Sequence, residues 1–205
     1  VKNIILASQS PRRKQLLGLL YPEFAIIPSN FNEDIPFDGN PQGYAEHLSL
    51  GKAETVANSI ENGLIIGADT IVVLNNQLLG KPRDFQEAVL ILSTLSGNTH
   101  TVYTGISLIE RESHQTIKKQ SFHVATEVTF RTLSESEIHA YVETGSPMDK
   151  AGAYGIQDDW GAVFVSRING DYYNVVGFPL QSYYEAVKAD FPEYLPHVHR
   201  INSPT

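Results

Sequence analysis

The sequence predicts a mixed α/β fold, and three features carry that expectation. Short apolar runs alternate with stretches of helical period through the first half of the chain. The middle and end carry hairpin patterns, which place antiparallel strands in the same sheet. The 205 residues are 41 % hydrophobic and 19 % charged and contain no linker, repeat or low-complexity tract, so one domain over 1–205 is expected.

The first expected strand, Ile4 to Ala7, leads through Ser8-Gln9-Ser10 into a helix with Leu16, Leu17, Leu19 and Leu20 in its pattern. Ser10 is placed as its N-cap and Pro11 at its first position. Strand, loop and helix in that order offer free backbone N–H groups to an anion. Arg12, Arg13 and Lys14 fall in the first turn, where they oppose the helix dipole, and an external anion would relieve that. Phe24 to Ile27 reads as a strand before the polar loop 28–34. From Pro41 to about Ile60 the pattern is helical, with Tyr44, Leu48, Val56 and Ile60 in one row and Lys52 in its midst. Leu64-Ile65-Ile66 reads as a buried strand ending in Gly67-Ala68-Asp69-Thr70. Ile71 to Leu74 continues as strand, Asn75-Asn76 turns, and Gly80-Lys81-Pro82 closes the unit.

Asp84 to Glu87 has the spacing of a capping box, followed by a helix bearing Ala88, Ile91, Leu92 and Leu95 that stops at Gly97. Val102 to Ile109 and Ser121 to Arg131 read as two strands, the second alternating Val124, Thr126, Val128 and Phe130. Ser134 to Glu137 opens a second capped helix, which ends at Gly145. The stretch from Asp149 to Gln157 is too glycine-rich for regular structure and reads as a loop. Val163 to Ile168, Asn169-Gly170 and Tyr172 to Val176 read as a hairpin. A last helix runs from about Leu180 to Ala189, and an irregular tail follows from about 192.

Composition narrows the function classes. Fifteen Lys and Arg against 23 Asp and Glu give a net charge of −8, which argues against a grip on a nucleic-acid polymer, whose affinity comes from cationic contacts. A local cluster of cations still permits a small anionic ligand. Without cysteine there is no disulfide framework and no thiolate metal site. The seven histidines show no zinc spacing, and His197 and His199 read as solvated tail residues. No apolar run reaches the roughly 18–20 residues of a bilayer span. Val1-Lys2-Asn3-Ile4 lacks the pattern of an export signal, so a cytoplasmic location without membrane attachment is expected.

Four groups of residues point to chemistry. Ser8, Ser10, Arg12 and Arg13 bring hydroxyls, helix N–H groups and guanidiniums together as a phosphate cradle, the alternative being an exposed basic helix start. Asp69, at the end of an apolar strand, stands where α/β folds place ligand-binding carboxylates, or else is a turn residue. Lys52 interrupts an apolar stripe and needs either a route to solvent or an anion, and Lys81 is fixed between two backbone-restricting residues. Glu33 offers hard oxygen ligands that, with Asp69, suit a divalent metal, and the Gln157 amide suits a base edge. The P-loop pattern Gly-x-x-x-x-Gly-Lys-Ser/Thr is absent.

Several of these segments, in order, resemble the Maf family of nucleotide pyrophosphatases: Leu6-Ala7-Ser8-Gln9-Ser10-Pro11-Arg12-Arg13, Gly67-Ala68-Asp69-Thr70-Ile71-Val72 and Gly80-Lys81-Pro82. The match continues through Leu95-Ser96-Gly97, His100, Thr104-Gly105, Asp149 to Gln157 and Asn174-Val175-Val176-Gly177, covering roughly Ile4 to Tyr184. The resemblance implies an elongated, twisted mixed sheet flanked by helices, with two lobes and a central cleft, like inosine triphosphatase folds. Lys150 to Gln157 is similar to members that hydrolyse dTTP and UTP. In that subgroup Arg12, Thr70 and Gln157 match positions that set base preference, and Asp69 matches the proposed proton acceptor. A divalent cation, Mg²⁺ or Mn²⁺, and a homodimer are implied as well. Asn32 before Glu33 departs from the family's usual acidic pair, and Gly51 before Lys52 is a further local variation.

The expected reaction is water attack on the α-phosphorus of a nucleoside triphosphate, releasing monophosphate and pyrophosphate, with Asp69 as base or metal ligand. Lys52 and Lys81 are expected on the triphosphate. Gln157 is expected to favour dTTP and UTP over CTP, held by Thr70 or by the backbone of Ala151 to Ile156. Two rival readings stand beside this one: a nucleotide-sensing regulator of septum formation with incidental turnover, and a house-cleaning enzyme for modified or purine nucleotides. Intact Asp69, Lys52 and Lys81 favour catalysis over sensing.

Overall fold

The computed structural model describes residues 3–158 and 160–196. Its sheet runs in the order β2-β1-β3-β5-β6-β7, with β4 paired to β3. The strands are β1 (Ile4–Leu6), β2 (Ala25–Ile26), β3 (Gly63–Leu74), β4 (Gln77–Leu79), β5 (Thr99–Glu112), β6 (Gln115–Phe130) and β7 (Val165–Asn169). β1 lies parallel to both β2 and β3, and every other pairing is antiparallel, so the sheet is mixed as expected. β5 and β6, of 14 and 16 residues, form a long ribbon that elongates it.

The helices are α1 (Pro11–Leu17), α2 (Pro41–Ala57), α3 (Phe85–Leu95), α4 (Glu135–Glu143), α5 (Gly161–Phe164), α6 (Tyr172–Val176) and α7 (Leu180–Asp190). Strand residues alternate between faces. Leu64, Ile66, Ala68 and Val72 of β3 therefore share one core with Leu17 of α1, Leu92 of α3, Tyr141 of α4 and Tyr183 of α7. Ile65, Ile71 and Val73 face the other way, against Ala45, Leu48, Ala53 and Val56 of α2. Two glycines let α2 lie directly on the sheet: a Cβ at Gly67 would collide with Ser49 O, and one at Gly105 with Ala45 O.

Several expectations are corrected. β3 is one unbroken strand of 12 residues, so Asp69 sits in its middle rather than at a strand end. β5 and β6 extend beyond their expected bounds and turn tightly at Ser113 and His114, both at positive φ. The expected hairpin 163–176 does not form. β7 pairs with β6, and 172–176 is helix α6, because Asp171 Oδ1 accepts from Tyr173 N at 2.8 Å and caps it. Buried Asn174 then reaches Val102 O and Thr126 Oγ1, at 3.1 and 2.9 Å, and pins α6 to the sheet. Asp84 caps α3, but Glu87 turns back to Arg83 N rather than completing the box. The box of Ser134 and Glu137 is complete. Residues 192–194 form a short 3₁₀ turn, and His197 and His199 lie outside the described residues.

The site is placed by β3's change of neighbour. One edge of β3 is paired to β1 through Leu64–Ile66 and to β4 through Val72–Leu74. Between these, no strand among the described residues pairs with residues 67–71 on that side. A cleft of about 610 Å³ opens there, lined by the loop after β1, the start of α1, the Gly80-Lys81 turn and the loop around Tyr154 and Gln157.

Candidate active site

Ser8, Arg12, Arg13, Glu33, Lys52, Asp69, Thr70, Lys81 and Gln157 all line this cleft. Asp69 and Thr70 are consecutive and so point to opposite faces of β3, yet the open strand edge presents both to the same space. Each anchors a separate group of side chains.

On the α2 face, Lys52 reaches from its apolar row to a carboxylate pair. Its ammonium bonds Asp69 Oδ1 and lies 2.9 Å from Glu33 Oε1. Lys52 and Asp69 are both buried, whereas the Glu33 side chain is about half exposed, at 53 %. Gly51, flagged as a local variation, has a structural use. The Phe31 ring occupies the position a Cβ would take, so the loop carrying Glu33 rests directly on α2. Tyr44, about two turns before Lys52 on α2, closes the same wall. Partial burial raises its pKa, and Asp69, Glu33 and Asp34 add to the rise.

On the other face, Arg13 is partly buried and held through three nitrogens: Nε to Gly177 O at 3.1 Å, Nη1 to Ser8 Oγ at 3.3 Å and Nη2 to Thr70 Oγ1 at 3.1 Å. Burial lowers its pKa, and the field of Asp69 partly offsets that fall. None of these partners is a carboxylate, so the guanidinium keeps its charge available to a ligand. Thr70 and Thr104 are hydrogen-bonded at 3.0 Å, and Thr104 donates to Asn174 O. Thr70 must therefore donate to Thr104, and the proton order runs from Arg13 inward. Ser8 accepts from both Ser10 N and Arg13, which leaves its own hydrogen for the cleft.

Ser10 caps α1, accepting from Arg13 N, and Pro11 stands at the first helical position, both as expected. Arg12 does not join Arg13. Its Nη1 lies 3.0 Å from Asp149 Oδ2. Lys81 makes no ion pair among the described residues and is exposed at the cleft rim. The backbone of its turn is fixed by Gly152 N donating to Gly80 O at 3.1 Å.

Sequence reasoning missed a cluster at the far end of the cleft. Lys150 is buried against Asp149 Oδ1 at 2.7 Å, Asp158 Oδ2 at 2.9 Å and Ser146 O at 2.6 Å. Burial pulls its pKa down, but the two carboxylates outweigh it and hold the ammonium above its ordinary value. Asp149 is pushed up by burial and, more strongly, down by Lys150 and Arg12, so it stays ionised below the usual range. The signal was the run Asp149-Lys150 with Asp158 eight residues on, in a loop whose glycines allow tight packing. One expectation fails here. Gln157 is held by the Asp158 side chain, at 2.7 Å from its Nε2, and not by Thr70 or by the backbone of 151–156.

Among the described residues no group of three or more His, Asp or Glu side chains converges to hold a metal. On the α2 side of the cleft the carboxylates are Asp69 and Glu33, with Lys52 between them, and Asp149 lines the far end.

An open strand edge flanked by a guanidinium without an ion pair among the described residues and a lysine-held carboxylate defines a mixed α/β protein with a polar cleft. Residues 3–189 match the family described as Maf-like protein, and the chain belongs to that family. The dTTP/UTP pyrophosphatase of Clostridium botulinum (strain Okra / Type B1) is 50 % identical over 184 residues, 88 % of this chain and 93 % of that one. The protein of the same name from Carboxydothermus hydrogenoformans is 46 % identical over 185 residues, 90 % of this chain and 97 % of its own. Among solved structures, the Staphylococcus aureus Ham1 protein is similar over 63 % of this chain and 72 % of its own, at 16 % identity and a TM-score of 0.43.

Proposed function

We propose that the protein is a nucleoside triphosphate pyrophosphatase that converts dTTP and UTP to the monophosphates and pyrophosphate. The observation that carries this reading is the pairing of Asp69 with Lys52 on the open edge of β3, opposite an Arg13 that makes no ion pair with a carboxylate among the described residues. The names borne by relatives of about half identity over most of their length support the substrate class.

Arg13, Ser8 and Lys81 form the wall that takes the triphosphate: a partly buried guanidinium, a hydroxyl with its hydrogen free and a lysine at the rim. Lys52 spends two of its three N–H groups on Asp69 and Glu33 and keeps the third for a phosphate oxygen. Asp69 has one oxygen on Lys52, which leaves Oδ2 to orient and deprotonate a water. As that water's oxygen bonds to the α-phosphorus, the bond to the bridging oxygen breaks and pyrophosphate leaves. The cations meet the charge that develops on the leaving oxygens.

The donor set also fits a divalent cation, since magnesium is commonly bound by one or two carboxylates completed by substrate phosphates. Asp69 and Glu33 would hold it, and it would supply Lewis-acid polarisation of the phosphates. At the far end, Gln157 is the base reader and Arg12, paired with Asp149, borders it.

The test is product analysis over dTTP, UTP, CTP and GTP, with Mg²⁺, with Mn²⁺ and with chelator. Monophosphate and pyrophosphate from dTTP and UTP, strongest with metal, are the expected products. Release of orthophosphate, or a preference for GTP, overturns the reading.

A further inference from the structure

Gln157 Nε2 donates to Asp158 Oδ1 at 2.7 Å, while Asp158 Oδ2 accepts from Lys150 Nζ at 2.9 Å. The chain of bonds continues through buried Lys150 to Asp149 and on to Arg12, so the carboxylate that meets the amide is itself fixed. The backbone is built around this contact. A Cβ at Gly155 would collide with both Asp158 Oδ2 and Lys150 Cε, and Asp158 N donates to Gly155 O at 3.1 Å.

A carboxylate has lone pairs and no hydrogen to give, so the end of the amide it meets has to be the NH₂. Turning the amide over would set Gln157 Oε1 against Asp158 Oδ1 with nothing between them. A glutamine beside a hydroxyl has two usable orientations, whereas Gln157 has one.

That restriction bears on base choice. Uracil and thymine present a keto oxygen beside N3–H, and cytosine presents an amino group beside a lone pair on N3. An amide free to turn complements either pattern, and a locked amide complements one. We propose that Asp158 is a positioning residue for pyrimidine discrimination: by fixing which end of the Gln157 amide faces the base, it makes the cleft reject cytosine. The proposal rests on the dTTP/UTP reading above and deepens it.

The test is kcat/KM for dTTP, UTP and CTP in the parent, Asp158→Asn, Asp158→Ala and Gln157→Ala, and in Gln157→Ala combined with Asp158→Asn. Asparagine matches aspartate in shape but offers either a donor or an acceptor, so it lets the amide turn. In Asp158→Asn the dTTP:CTP and UTP:CTP ratios should fall about tenfold, which corresponds to ~1.4 kcal/mol, the scale of one net hydrogen bond. Asp158→Ala, which removes the partner altogether, should move the ratios in the same direction. Loss of the Lys150 contact lowers all three nucleotides together and cancels in the ratio. With Gln157 already removed, Asp158→Asn should leave the ratio where it stands. An unchanged ratio in both Asp158 variants, or the same shift without Gln157, overturns the proposal. A parent that does not prefer dTTP and UTP to CTP overturns the functional reading along with it. A parent preference that survives both Asp158 variants overturns this inference alone.

Discussion

Asp69 has one oxygen committed to Lys52 and the other open to the cleft, so its charge serves two partners at once. Replacing it with Asn keeps the shape and can keep a contact to Lys52 through the amide oxygen, but it removes the proton acceptor. Asp69→Asn is expected to cut kcat by ~10²–10⁴-fold, the usual range for a general base. Nucleotide binding, read by titration calorimetry, should change far less. Parental turnover in this variant would place the catalytic base elsewhere. Sequence singled out Asp69 as a carboxylate at the end of an apolar strand, or else a turn residue, whereas the structure sets it in the middle of β3. The partner of Asp69 was out of sequence's reach: Lys52 lies 17 residues away, on a helix whose register against β3 depends on Gly67.

At the scale of elements, α2 carries Lys52 to the strand edge and also supports the Glu33 loop. The contact between Gly51 and Phe31 joins the two tasks. Gly51→Ala should gain about 1 kcal/mol of helix propensity, while its new methyl displaces the Phe31 ring. The net change in stability, measured by urea unfolding, is therefore expected to be small. Activity should still fall on the order of tenfold, as for a weakened hydrogen bond to a charged group, because Glu33 leaves Lys52. Glu33→Gln should cost a similar amount, and the double variant should cost less than the two combined. Full activity in Gly51→Ala would show that the loop position is indifferent to this contact. Patterning placed α2 and its Lys52 row correctly. It misread 172–176, because a run rich in Tyr and Val has strand propensity and only the cap at Asp171 and the buried bonds of Asn174 make it a helix.

For the whole molecule, the core itself sets an acid limit. His100 is buried with its ring edge-on to Phe130 and Tyr154, Nε2 is 2.8 Å from the Tyr154 hydroxyl, and Nδ1 has no partner among the described residues. Burial drops its pKa from 6.5 to about 4. Below pH 6.5 the unfolded chain therefore binds a proton that the folded protein refuses, and stability falls as pH falls from there towards 4. By pH 5 the loss from this one residue should be about 2 kcal/mol. His100→Gln, which can still bond Tyr154 and does not titrate, should flatten that part of the profile. Urea unfolding at pH 7 and pH 5 compares the two, and equal slopes in parent and variant would remove His100 as the cause.

The sequence alone determined the mixed α/β class, the starts of α1, α3 and α4 through their caps, and nine of the side chains that line the cleft, while Asp149 and Lys150 at its far end were missed. Those follow from local chemistry, in which period, capping and turn residues act over a few positions. Tertiary structure decided which of those side chains meet. β3 exchanges β1 for β4 along one edge, and the gap between them exposes Asp69 and Thr70 to one space from opposite faces. The same folding set Arg12 on Asp149 and away from Arg13, and buried Lys150 against Asp158, fixing the carboxylate beside Gln157. Such pairings join residues up to 164 positions apart. They depend on glycines that let backbones touch, a condition that no period or local motif along the chain encodes.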